Sequence, residues 1–185
     1  MARVTGKPRT SRKEAKGPET ARDEKSCLAQ TTFVAKPGKQ EISLCRLLSA
    51  PRERVFRALT DPKLLAKWWA PRQLTIKIDK MNAKPGGTWR MLHRDAAGNE
   101  FWFHGVFHEV SPERIVQTFE FEGMPGHVLL GIATLKSVGK KTKLTMKSLF
   151  ESVEDRDSML QHGMAEGGIE TLDRLAELVE KPQKK

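Results

Sequence analysis

The residues of this 185-residue chain with the chemistry to act on a substrate are five histidines, two cysteines and scattered carboxylates. His104 and His108 stand four apart. On a strand, at ~3.3 Å per residue, that separates them by about 13 Å, too far to share one metal ion. His127 and His162 have no motif around them. No metal site is expected, and no cofactor: Gly86-Gly87 precedes a strand pattern rather than a helix, so it is not a phosphate loop. Acid–base catalysis needs a positioned proton donor or acceptor. Only His93 and Glu109 fall near enough to the expected interior, and the chain has no tyrosine to serve as an acid. No catalytic residue is assigned. Cys27 and Cys45 are too few for a disulfide framework and read as ordinary reduced thiols, which fits a cytoplasmic setting.

The elements around these residues follow from composition and pattern. Apolar residues are 38% of the chain and charged residues 30%, too apolar for wholesale disorder. No apolar run approaches the ~18 residues of a spanning helix, so no membrane span is expected. The net charge is +10 and uneven. Residues 1–40 hold ten Lys/Arg and four Asp/Glu, a net +6; the remainder holds 23 and 19, a net +4. The first 40 residues lack apolar periodicity and read as a disordered basic tail. Its four acidic residues argue against a transit peptide, and it has no secretory core. The expectation is a plain solvated tail, with weak contact to nucleic acid or an acidic partner as the alternative. Residues 41–180 form the expected domain, with 181–185 a short second tail.

Within the domain, residues 41–48 read as a strand. Pro51 opens a helix with Val55, Phe56, Ala58 and Leu59 on one face. Asp61-Pro62 punctuates before a second short helix over residues 63–69. Six strands follow, at 74–81, 88–93, 100–110, 114–121, 127–137 and 141–150, separated by short turns rich in Gly, Pro, Asp and Asn. A helix of about 25 residues closes the chain over 153–179, with Ser152 and Asp155 as cap candidates and Leu160, Met164, Leu172, Leu175 and Val179 at helical spacing. The expected fold class is α+β: a curved antiparallel sheet of about seven strands wrapped on a long C-terminal helix, with two short helices after the first strand.

Alternation along the strands separates the two faces of the sheet. Trp89, Met91 and His93 share one face, as do Phe101, Phe103 and Phe107. The hairpin is expected to set Trp89 and Met91 beside Phe103 and Phe101. Gln117, Phe119 and Phe121 continue this inner face, as do Met146 and Ser148. Arg90, Arg94, Trp102, His104 and His108 then point outward, Trp102 as a patch covered by the tail or a second subunit. Gly163, Gly167 and Gly168 fall inside the long helix, where each costs about 0.5–1 kcal/mol against Ala. They leave room either for close packing on the sheet or for a cavity. In the second case Met164 and Gly168 from the helix, and Trp69 at the mouth, complete a pocket with the inner-face residues.

Several motifs, in order, carry a resemblance. Arg46 is followed by Ala50-Pro51, Val55-Phe56, Thr60-Asp61-Pro62, Lys67-Trp68-Trp69 and Pro71. Gly86-Gly87-Thr88-Trp89 and Gly105-Val106-Phe107-His108-Glu109-Val110-Ser111-Pro112-Glu113-Arg114 come next. Thr142-Lys143-Leu144-Thr145, Gly163-Met164 and Leu172-Asp173-Arg174-Leu175 close the pattern. The body of the chain resembles the SRPBCC, or START-like, superfamily with its helix-grip fold. Within it, the body is most similar to the domain named after activators of the ninety-kilodalton heat-shock chaperone's ATPase. The resemblance implies three functions: a non-enzymatic binder of a small apolar ligand, a chaperone-interacting module, or a polyketide cyclase-like enzyme. A homodimer contact is a further partner it leaves open.

Overall fold

A computed structural model describes Cys27 and residues 29–181. One antiparallel sheet of eight strands dominates it. In chain order these are β1 Thr32–Val34, β2 Glu41–Leu48, β3 Thr75–Met81, β4 Thr88–Arg94, β5 Glu100–Val110, β6 Arg114–Phe121, β7 Val128–Val138 and β8 Lys141–Leu149. In space they run β1-β2-β8-β7-β6-β5-β4-β3. From β3 to β8 the strands form a simple meander. β2, first of the domain's predicted strands, pairs with β8, the last. The helices are α1 Arg52–Thr60, α2 Pro62–Leu65, α3 Val153–Gln161 and α4 Met164–Glu180. The α+β helix-grip architecture expected from the sequence is the one observed.

Four local expectations need correction. The tail forecast for residues 1–40 overlaps β1, whose Phe33 lies opposite Leu44 of β2 and packs on the core. Three residues are too few to show an apolar period, and β1 gains its stability from the open edge of β2 rather than from its own pattern. The rest of that forecast, residues 1–26 and Leu28, lies outside the described residues, as do residues 182–185. The second short helix stops at Leu65, and residues 66–68 continue as turns before a bend at 69–70. The long helix is two helices. Its break falls at Gly163, which takes φ 81°, a left-handed conformation that glycine adopts without a Cβ penalty. Ser152 caps α3, accepting from the Asp155 amide at 3.0 Å.

The fourth correction concerns the cysteines. Cys27 and Cys45 form a disulfide, with Cα atoms 5.4 Å apart. Their pairing replaces the expected free thiols. Cys45 lies opposite Thr32 in the β1–β2 ladder, so the bond ties the incoming chain to the sheet beside β1.

The core lies between the concave face of the sheet, α4 and α1. Ile42, Leu48, Leu135 and Leu144 from the sheet meet Leu172, Leu175 and Val179 from α4 and Val55 from α1, all essentially without solvent exposure. Burial of each such side chain stabilises by about 1.5–3 kcal/mol. Asp61 ends α1 and caps α2, its carboxylate accepting from the Lys63 amide at 2.9 Å. Polar ties fix α4 across this core. Arg46 of β2 binds Asp173 of α4 and donates to Thr31 Oγ1 at 2.9 Å. Arg174 donates to the carbonyls of Lys67, at 2.7 Å, and Ala70, which holds the segment after α2 against the helix. Among the described residues no helix is long and apolar enough to cross a membrane.

Candidate functional site

The β4–β5 hairpin sets the inner face. Its loop runs from Asp95 to Asn99, and the Asp95 carboxylate accepts from the Asn99 amide at 2.8 Å and the Asn99 side chain at 2.7 Å. Those bonds hold the Asp95 carboxyl below the usual carboxylate range. The closed loop places Arg94 opposite Glu100, and hence Met91 opposite Phe103, His93 opposite Phe101 and Trp89 opposite Gly105. The expected register was therefore two residues off. A slip of two keeps every side chain on its face, so the inner and outer assignments survive it.

On the inner face the rings form a continuous row. Trp89 lies 5.4 Å from Phe119, Phe119 5.0 Å from Phe103, Phe103 5.2 Å from Phe121, and Phe121 6.3 Å from Phe101, between centroids. The outer face carries the charges. The Arg90 guanidinium lies 3.8 Å from the centroid of Trp102 and pairs with Glu122 at 2.6 Å and Asp79 at 3.3 Å. That pairing holds the Glu122 carboxyl below its ordinary range. His104 lies 3.2 Å from Glu120. Trp102, expected under the tail or a second subunit, is thus covered in part by Arg90.

Between the concave face and the C-terminal helices is a cavity of about 340 Å³. Of the residues expected there, Trp69, His93, Phe103, Gln117, Phe119, Met146, Ser148, Met164 and Gly168 line it. Trp89, Met91 and Phe107 do not. They line a separate void of about 20 Å³ beneath Trp69 and Met81, room for about one water. Phe101 and Phe121 line neither. They extend the aromatic row beyond the cavity, where alternation alone could not tell a covered strand end from an uncovered one. The tryptophan pair divides its roles. Trp68 is fully buried and donates its indole N–H to the Ala58 carbonyl at 3.0 Å, while Trp69 borders both voids.

Other lining residues were missed by the sequence reading. Leu44 and Leu129 complete the sheet side, beside Ile115, which alternation places on the inner face, and Pro71, Met159 and Thr171 lie along the helix side. Gly131 is the most informative of them. It lies opposite Ser148 on one side and Gln117 on the other, so an empty position separates two polar side chains on the cavity floor. A glycine within an apolar strand such as β7 is the one signal that could have found it.

The helix glycines serve both roles weighed for them. A Cβ on Gly168 would lie 3.2 Å from Leu44 Cδ2, and one on Gly167 would lie 3.3 Å from Pro71 Cγ. Both sites allow close packing, and both border the cavity.

His93 is 8% exposed. Its ring lies 4.7 Å from that of Phe103, and its Nε2 has no hydrogen-bond partner among the described residues. Burial pushes the imidazole pKa down to about 4, so the ring is neutral at pH 7. Glu109, the carboxylate considered beside His93, is ion-paired with Arg114 and does not line the cavity. The sheet's pleat explains this: a bulge between Phe107 and Glu109 shifts the strand register at that point. His127 pairs with Asp155 at 2.9 Å, and His162 lines the cavity while Nδ1 contacts the Ser158 carbonyl at 2.7 Å. Among the described residues no three His, Cys, Asp or Glu side chains converge as a metal site.

Comparison with known proteins places these features. Residues 49–180 match the family described as activator of Hsp90 ATPase homolog 1-like protein. A crystal structure of a Chromobacterium violaceum protein is 32% identical over 77% of this chain and 99% of its own, with a TM-score of 0.68. A Nitrosomonas europaea protein is 27% identical over 76% of this chain and 94% of its own, with the same TM-score. A solution structure from Arthrobacter aurescens is 21% identical over 83% of this chain and 93% of its own, with a TM-score of 0.77, and shows the shared fold. No curated protein matches the chain.

Proposed function

The chain belongs to the family of activator of Hsp90 ATPase homolog 1-like proteins, and from that premise we propose that it is a non-enzymatic binding protein whose cavity takes a small apolar molecule. The family alone does not select a function, because one fold carries many. The observation that supports the proposal is the cavity of about 340 Å³, walled by Leu44, Phe103, Phe119, Leu129, Met146 and Met164. Ligand pockets run to ~300–1,000 Å³ and are mostly apolar with a few polar groups. An engineered apolar cavity of about 150 Å³ already takes benzene, so this one suits a ligand of two fused rings. The two methionines supply adaptable walls.

A cyclase-like reaction is the second reading: of the two groups it could use as acid or base, Glu109 is engaged with Arg114 and off the cavity, which leaves His93 alone. The co-chaperone alternative draws on the family's name alone. Native mass spectrometry of freshly purified protein, followed by denaturing extraction, tests the proposal. The expected result is a bound apolar molecule, or a rise in Tm with members of an aromatic and lipid panel. An empty protein with no shift across the panel overturns it.

A further inference from the structure

The polar side chains on the cavity wall are Thr171 and His162 on the helix side and Lys147, Ser148, Gln117 and His93 on the sheet side. Ser148, Gln117 and His93 lie on β8, β6 and β4. Ser148 and Gln117 are in register two strands apart, about 10 Å, whereas His93 lies two strands beyond Gln117 and six residues further along, on the order of 20 Å away. His93 differs from the other two in being almost wholly buried with an unpartnered ring nitrogen. Buried polar atoms in native proteins nearly always have a partner, and an exception calls for an explanation.

We infer that the cavity's occupant is an apolar molecule carrying one uncharged hydroxyl group, an alcohol or a phenol, which exchanges a hydrogen bond with the His93 imidazole. The inference rests on the cavity being a binding site. A neutral imidazole presents one N–H and one lone pair, and a hydroxyl can meet either. A half-turn about the Cβ–Cγ bond exchanges the nitrogen and carbon edges of the ring, so either nitrogen can serve. An anionic head group fits less well. Burying a charge without a partner is costly, and His93 is held neutral. Lys147 also borders the cavity, but its ammonium lies 3.5 Å from the Glu41 carboxylate.

Three matched probes test this by calorimetry at pH 7: 2-naphthol, 2-methylnaphthalene and 2-naphthoate. The protein is expected to bind 2-naphthol about tenfold more tightly than 2-methylnaphthalene, the worth of one hydrogen bond, with 2-naphthoate weakest. His93→Leu should bring 2-naphthol down to the level of 2-methylnaphthalene and leave the latter within about twofold. His93→Gln, which keeps a donor and an acceptor, should restore part of the preference. Wild-type protein gives an independent reading: the His93 ring nitrogen resonances should shift with 2-naphthol and not with 2-methylnaphthalene. Equal binding of these two overturns the hydroxyl and leaves the cavity reading standing. So does a preference that survives His93→Leu, or a preference for 2-naphthoate. If none of the three binds, the inference falls, and the cavity reading is decided separately by native mass spectrometry and the wider aromatic and lipid panel.

Discussion

Gly168 of α4 faces Leu44 of β2 so closely that a Cβ at position 168 would lie 3.2 Å from Leu44 Cδ2. This is where the helix meets the sheet at one wall of the cavity. Gly168→Ala adds helix propensity of about 0.5–1 kcal/mol and requires Leu44 to shift by a few tenths of an ångström. Leu44 borders the cavity and has space to move into. The net change in unfolding free energy should stay within about 1 kcal/mol, read from urea midpoints. A larger loss would show that Leu44 is clamped.

Gly131 offers the opposite situation. A Cβ there would stand 3.6 Å from the Gln117 carbonyl oxygen, an ordinary contact. Gly131→Ile should therefore fold, with a β-branched residue where the strand prefers one, and should fill the floor between Ser148 and Gln117. Affinity for whichever apolar ligand the wild-type protein takes should drop at least tenfold while circular dichroism is unchanged. Undiminished binding would place the ligand elsewhere.

At Gly105 no side chain fits. A Cβ would come 2.0 Å from the Thr118 carbonyl oxygen and 2.7 Å from Trp89 Cζ2. The first of these is backbone and cannot step aside. Gly105→Ala should cost about 2–4 kcal/mol, and thermal melts would show it as a clear fall in Tm. A variant as stable as wild type would mean that β5 and β6 do not approach as described.

The His93 imidazole makes stability pH-dependent. Its pKa is about 4 in the folded protein, against an ordinary 6.5. Between those values the unfolded chain binds the extra proton and the folded protein does not, so stability falls as pH drops from 6.5 to 4 and levels off below. The loss from this group is about 3 kcal/mol. His93→Leu should flatten that part of the profile of urea midpoint against pH. An unchanged profile would mean the ring is better hydrated than its burial implies.

The Cys27–Cys45 bond closes a sequence separation of 18 residues. A loop of that size is worth about 3 kcal/mol through the unfolded state. Intact mass should be about 2 Da below the fully reduced value, and reduction should lower Tm. A mass showing two free thiols in protein purified without reductant would remove the bond and return the cysteines to the sequence expectation.

Much of the fold was legible in the sequence because its signals are local. Period-two alternation marked strands and faces, Asp61-Pro62 and the Gly-rich turns marked their ends, and helical spacing from Leu160 to Val179 marked the closing helices. A register error of two in the β4–β5 hairpin did no harm to the faces, since alternation repeats every two residues. The spaced motifs from Arg46 to Leu175 pointed to the family. Three things were decided only in three dimensions. β1 forms because the edge of β2 is available, not because three residues have a pattern. The cysteines meet because β1 returns along β2, which no spacing of two residues can foretell. The cavity's extent depends on how far α4 overlies the sheet. That overlap admits His93 and Gly131, directs Trp89, Met91 and Phe107 into a second void, and leaves Phe101 and Phe121 beyond it. Alternation tells which side of a sheet a residue faces, whereas packing between elements distant in the chain decides what it faces there.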